Sequence, residues 1–89
     1  MSEESDERLR TDDAALRWRS RRGLLELELL LRPFVSTRLA SLSVAEKHHY
    51  ARLLEHDDCD IYDWLMDRDA PEDPQLVDMV RAVRAANIR

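Results

Sequence analysis

The chain has 89 residues, of which 44% are hydrophobic and 37% charged, with a net charge of −5 and a single glycine. That length holds one modest core, burying roughly 60–65% of the unfolded surface, and leaves little room for a deep catalytic cavity. The acidic balance argues against non-specific nucleic-acid binding, and the scarcity of glycine argues against a hairpin-rich β protein.

Residues 1–10 are polar and acidic and are expected to be disordered, leaving 11–89 as a single helical domain. Thr11 can cap a first helix from about Asp12 to Arg21, with Asp12 and Asp13 in the first turn, where the helix dipole favours anions. Ala15, Leu16 and Trp18 would then face other elements. Gly23 stands where such a helix should stop and suits a left-handed C-cap. In the next stretch Leu25, Leu27, Leu29 and Leu31 alternate with Glu26, Glu28 and Leu30 as a strand would. Leucine and glutamate are nevertheless strong helix formers and no β-branched residue intervenes, so the segment reads as a second helix. Pro33 should kink it or begin a new turn, with Phe34, Val35 and Leu39 continuing the apolar face.

Ser43 and Glu46 form a capping-box pattern opening a third helix over about Val44 to Glu55. Its apolar stripe is expected from Ala45, His49, Tyr50, Arg52, Leu53 and Leu54. Asp57 or Asp58 can cap a short fourth helix carrying Ile61, Tyr62, Trp64, Leu65 and Met66. After Pro71, the Asp73-Pro74 pair is an N-cap followed by a first-turn proline. It opens a last helix with Leu76, Val77, Val80 and Val83 at helical spacing and Met79 beside them. The predicted fold is all-α, a single small five-helix bundle.

Chemistry on this frame is sparse. His48, His49, His56, Asp57, Asp58, Cys59 and Asp60 cluster in sequence, but neighbouring histidines point about 100° apart on a helix and no paired-cysteine or spaced-histidine pattern occurs, so no metal site is expected. Cys59 lies among aspartates, whose field opposes thiolate formation, and it reads as inert. It cannot form an internal disulfide, which suits a reducing compartment. One glycine cannot build a phosphate-cradling loop, so no FAD or nucleotide of its own is expected. Trp64, beside Leu65 and Met66, reads as core rather than as an aromatic binding patch. The acid pairs Asp57-Asp58 and Asp67/Asp69 read as caps and solvated faces. No apolar run approaches the roughly 20 residues of a membrane span. The acidic start is unlike a secretory or mitochondrial leader, so a bacterial cytoplasmic protein is expected.

The segment Arg21-Arg22-Gly23-Leu24-Leu25-Glu26 allows two readings. On a continuous helix Arg22 and Glu26 share a face and can pair, and Gly23 between them lets another backbone approach closely. The plainer reading is a helix-end glycine beside an exposed ion pair worth about 0.3–0.5 kcal/mol. The frequency of glycine at helix ends favours the plainer reading when the segment is taken alone.

Wider context resembles the SdhE-type succinate dehydrogenase assembly factor family. Its Arg-Gly-x-x-Glu signature is matched by Arg22-Gly23-Leu24-Leu25-Glu26, preceded by Arg17-Trp18-Arg19-Ser20-Arg21. The match continues through Arg32-Pro33-Phe34 and Leu42-Ser43 and is strongest from Arg52 to Met66, covering about Arg17 to Val83 in order and register. Glu28 stands where many members carry aspartate, and Cys59 where proline or another residue is common. The resemblance implies a non-catalytic five-helix assembly factor. Its partner would be the flavoprotein subunit of succinate dehydrogenase, or of fumarate reductase in some bacteria, and it would promote covalent attachment of the FAD held by that subunit. The reactive groups belong to flavoprotein and flavin. The small protein, expected as a monomer, need only favour the competent arrangement of its partner.

On this reading Gly23 permits close approach at the interface centre. Arg22 and Glu26 make desolvated charged hydrogen bonds there, whose truncation typically costs about 2–5 kcal/mol. Leu24 packs nearest the flavin region, and Trp18, Arg19, Arg21 and Glu28 flank it. The alternative class is a regulatory interaction module such as an antitoxin, whose loss would change growth without changing flavin content. A nucleic-acid binder using the Arg17–Arg22 cluster is disfavoured by net charge, and a stand-alone enzyme fits least.

Overall fold

A computed structural model describes residues 10–88. Its regular elements are α1 (Asp13–Arg19), α2 (Leu25–Thr37), α3 (Val44–Leu53), α4 (Asp58–Leu65) and α5 (Pro74–Ala86), with a 3-10 turn at Leu39–Ser41. No strand occurs among the described residues, so the all-α expectation holds. The disorder expected for 1–10 falls, apart from Arg10, outside the described residues.

α1, α3 and α5 each begin where a side chain satisfies a free N–H group. The Asp12 side chain, rather than that of Thr11, caps α1 by accepting from the Ala15 N–H. The capping box of α3 is complete: Ser43 Oγ accepts from the Glu46 N–H at 3.0 Å, and Glu46 Oε1 accepts from the Ser43 N–H at 2.8 Å. Ser43→Ala is expected to lower stability by about 1 kcal/mol, read as a shift of the urea midpoint at constant m-value. Asp73 caps α5 through the Gln75 N–H at 2.9 Å, with Pro74 at the first position. It also pairs with Arg52 of α3, which ties the start of the last helix to the end of the third.

α5 packs against α2, α3 and α4, and α2 also lies on α4. The fully buried centre comprises Leu16, Leu27, Leu31, Phe34, Leu39, Tyr50, Leu53, Ile61 and Val83, with the Phe34 and Tyr50 rings 5.1 Å apart. Trp64 is core, as expected, and sets its ring against the edge of His56 at 5.0 Å.

Several local expectations need correction. Trp18 does not face another element; it is 69% exposed, because α1 buries the side carrying Ala15 and Leu16. Pro33 does not begin a new turn: the helix runs through it to Thr37. Ala45 is exposed, and Ala51 joins Tyr50 and Leu53 on the buried side of α3 in its place. Met66 is exposed beyond the end of α4, where Asp67 takes a positive φ of 61°, a conformation aspartate tolerates better than most residues. Val77 is only half-buried, and Met79 takes the core position beside it.

Candidate functional site

The site residues converge on the short link between α1 and α2. α1 stops at Ser20, whose hydroxyl donates to the Leu16 carbonyl at 2.8 Å. Having spent its proton there, Ser20 Oγ accepts from the Tyr50 hydroxyl at 2.7 Å. Burial pushes the Tyr50 phenol up to about 12, so it remains a neutral donor across physiological pH. Arg19 reaches the same helix through the Ala51 carbonyl at 3.0 Å. The end of α1 is therefore fixed to α3 before the link begins.

Arg22 is the hub of the link. Its Nε donates to Asp58 Oδ1 at 2.8 Å, Nη1 to the Arg19 carbonyl at 2.8 Å and Nη2 to the His56 carbonyl at 3.0 Å. Its backbone N–H donates to Glu28 Oε1 at 3.1 Å. Asp58, the first residue of α4, uses its other oxygen to accept from the Leu24 N–H at 3.1 Å. One carboxylate thus grips the link on both sides of Gly23. Burial raises the Asp58 pKa, but the Leu24 N–H, the Arg22 guanidinium and the Gly23 N–H outweigh it, and the carboxyl sits below its ordinary value. Reading Asp58 as a cap or a solvated acid is therefore corrected. Asp57 occupies the N-cap position, without a side-chain cap bond, while Asp58 turns inward.

The helical pairing of Arg22 with Glu26 is not formed. The chain is not helical between Ser20 and Leu24, so the four-residue spacing does not place them on one face. Arg22 is committed to Asp58 instead, and Glu26 is exposed with no hydrogen bond or ion pair among the described residues. Glu28 is half-buried between the Arg22 N–H and the Arg32 guanidinium, 3.6 Å away. The arginine of the signature frames the link, and the glutamate is left to face outward.

Gly23 is not the expected left-handed helix cap, since its φ is not positive. A Cβ built on it would meet only Asp58 Oδ2, at 4.0 Å. Neither backbone conformation nor internal packing calls for a glycine here. The position is exposed, with half-buried Leu24 and Arg22 on either side. Beside it, Leu24, Glu26, Cys59, Tyr62, Asp63 and Arg68 line an open depression of about 420 Å³. On the α1 side, Arg21 stacks over the Trp18 ring at 5.3 Å, and both are exposed. Among the described residues no group of histidine, cysteine and carboxylate side chains could hold a metal ion.

Residues 14–87 match the family described as "Flavinator of succinate dehydrogenase". The chain belongs to that family. Among curated relatives, proteins named "FAD assembly factor SdhE" are 40% identical over 74 residues in Yersinia pseudotuberculosis, covering 83% of this chain and 84% of the relative. The Pseudomonas aeruginosa protein of the same name is 42% identical over 73 residues, 82% and 87% of the two chains. That of Pseudomonas putida is 44% identical over 66 residues, 74% and 79% of the two chains. As a member of the flavinator family, the protein is an assembly factor and not a catalyst.

Two contributors escaped the sequence reading. Asp58 lies 36 residues from Arg22, and Tyr50 lies 30 from Ser20, so no local spacing announces either pair. The signal that could have found Asp58 was an acid at the start of a helix with a second acid already available as its cap.

Proposed function

We propose that the protein docks on the flavoprotein subunit of succinate dehydrogenase through the Arg22–Glu26 link and favours the arrangement in which that subunit's FAD becomes covalently attached. One observation carries this reading: Gly23 is exposed, and nothing inside the chain needs it to be glycine. A residue that costs backbone entropy without serving the fold is explained by an outside surface that comes close. Gly23 supplies the close approach, Glu26 the outward charge, and Leu24, Trp18, Arg19 and Arg21 the flanks. Arg22 and Glu28 act mainly from behind, by holding the link in place. Such a factor can shift its partner only by binding one arrangement better than another.

The flavin belongs to the partner on this reading. The depression beside the link is open, and its two carboxylates, Glu26 and Asp63, outnumber its one cation, Arg68, a poor setting for a pyrophosphate. Fumarate reductase, whose flavoprotein poses the same chemical problem, is a second target on this proposal. A one-to-one complex formed in the bacterial cytoplasm suits the small size and the single cysteine, Cys59. No helix among the described residues is long and apolar enough to cross a membrane.

Co-expression with a succinate dehydrogenase flavoprotein subunit tests the reading. Co-purification and an increase in flavin fluorescence that survives denaturing electrophoresis are expected. Unchanged covalent flavin, with a growth defect in cells lacking the chain, would instead favour an antitoxin-like module.

A further inference from the structure

The alternation of leucine along α2 gives that helix two apolar sides. Leu27, Leu31 and Phe34 are fully buried and recur at four- and three-residue spacing. Leu25 and Leu29, also four apart, are 59% and 48% exposed. At about 100° per residue the two sets of positions are separated by about 120–180°, so Leu25 and Leu29 lie broadly opposite the buried set. A helix that is apolar on opposite sides is suited to burial on both, and the bundle covers only one. The outer strip begins two residues after Gly23, so it continues the docking site.

Charge beside the strip indicates what covers it. On the α1 side, Arg17, Arg21 and Arg32 line a shallow depression with Ser20, Glu28 and Val35. Arg17 and Arg21 make no ion pair with a carboxylate among the described residues, and Arg32 has only the long contact to Glu28 at 3.6 Å. In a chain of net charge −5, three arginines gathered beside an exposed apolar strip, with Glu28 as the one carboxylate among them, fit an acidic counterpart.

We propose that Leu25 and Leu29 form the apolar part of the flavoprotein interface and seat an apolar segment of that subunit edged by carboxylates, which Arg17, Arg21 and Arg32 meet. This rests on the docking function proposed above. It adds a second contact region, in which the strip supplies affinity and the arginines supply orientation.

The test compares three full-length proteins, the Leu25→Gln/Leu29→Gln double variant, Arg21→Glu and Gly23→Arg, for binding to the purified flavoprotein subunit. Glutamine keeps the helix, and circular dichroism with thermal melting checks that each variant is folded. The double variant is expected to bind at least tenfold more weakly, and Arg21→Glu to bind more weakly with a reduced dependence on salt. A double variant that binds like the parent while Gly23→Arg abolishes binding overturns the strip and leaves the docking function standing. Undiminished binding by Gly23→Arg overturns the docking function itself. Sedimentation of the parent as a dimer that the double variant dissolves, with flavoprotein binding unchanged, assigns the strip to a second copy and also overturns the proposal.

Discussion

Replacing Gly23 by arginine is expected to leave the bundle folded and to abolish covalent flavin attachment to the partner. The position is exposed, its φ is not positive, and a new Cβ finds only Asp58 Oδ2 at 4.0 Å, so a long side chain can extend into solvent without disturbing α1, α2 or α4. In a complex the same side chain would occupy the space that the flavoprotein needs. Far-ultraviolet circular dichroism and the melting temperature should match the parent, while flavin fluorescence of the denatured partner falls to background. Gly23→Ala separates the two roles more finely. Loss of glycine's freedom in the unfolded chain should raise stability by about 0.4–1 kcal/mol, while the added methyl group weakens the partner contact. Opposite signs for stability and binding are hard to reconcile with a glycine that serves the fold.

Asp58→Ala is expected to damage both the fold and the docking site. Its carboxylate holds Arg22 Nε at 2.8 Å and the Leu24 N–H at 3.1 Å. The Arg22 and Asp58 side chains are only 14% and 26% exposed, so this pair should exceed the value of a surface ion pair. Removal leaves the largely buried guanidinium without its counter-charge and the Leu24 N–H without its acceptor. A loss of about 2–3 kcal/mol follows, or roughly 8–24 °C in melting temperature for a domain of this size. Partner binding should fall further than stability alone requires, because the link loses its fixed shape. Arg22→Ala should add little to Asp58→Ala in a double-mutant cycle, since each single change already breaks the clasp. The clasp also carries a pH signature. The folded Asp58 pKa lies below its ordinary value, so its stabilisation is present above the ordinary carboxylate range and is lost as pH falls through the folded value. Asp58→Asn should flatten that part of the acid limb of the stability curve.

Features fixed by neighbours in sequence were legible without coordinates. The Ser43–Glu46 capping box and the Asp73-Pro74 helix start were visible because each is complete within a few residues. Leucine-rich α2 was recognisable as a helix from composition, yet its pattern could not say which leucines are covered. That depends on where α4 and α5 lie. Gly23 attracted a helix-cap reading because α1 was expected to reach Arg21. α1 instead stops at Ser20, held by Tyr50 from α3. The Arg22–Glu26 pairing presumed a continuous helix, and Asp58 outcompetes Glu26 for the guanidinium from 36 residues further along the chain. The proposed docking residues were picked out by motif, whereas the clasp that shapes them is a long-range contact and required the fold.

Hydrogen–deuterium exchange of the protein with and without its flavoprotein partner tests the central claim most directly. The account requires new protection concentrated at Gly23, Leu25 and Glu26, spreading to Trp18 and Leu29, with α3 and α5 unchanged. Protection confined to α3 or α5, with the Arg22–Glu26 link exchanging as in the free protein, would contradict it.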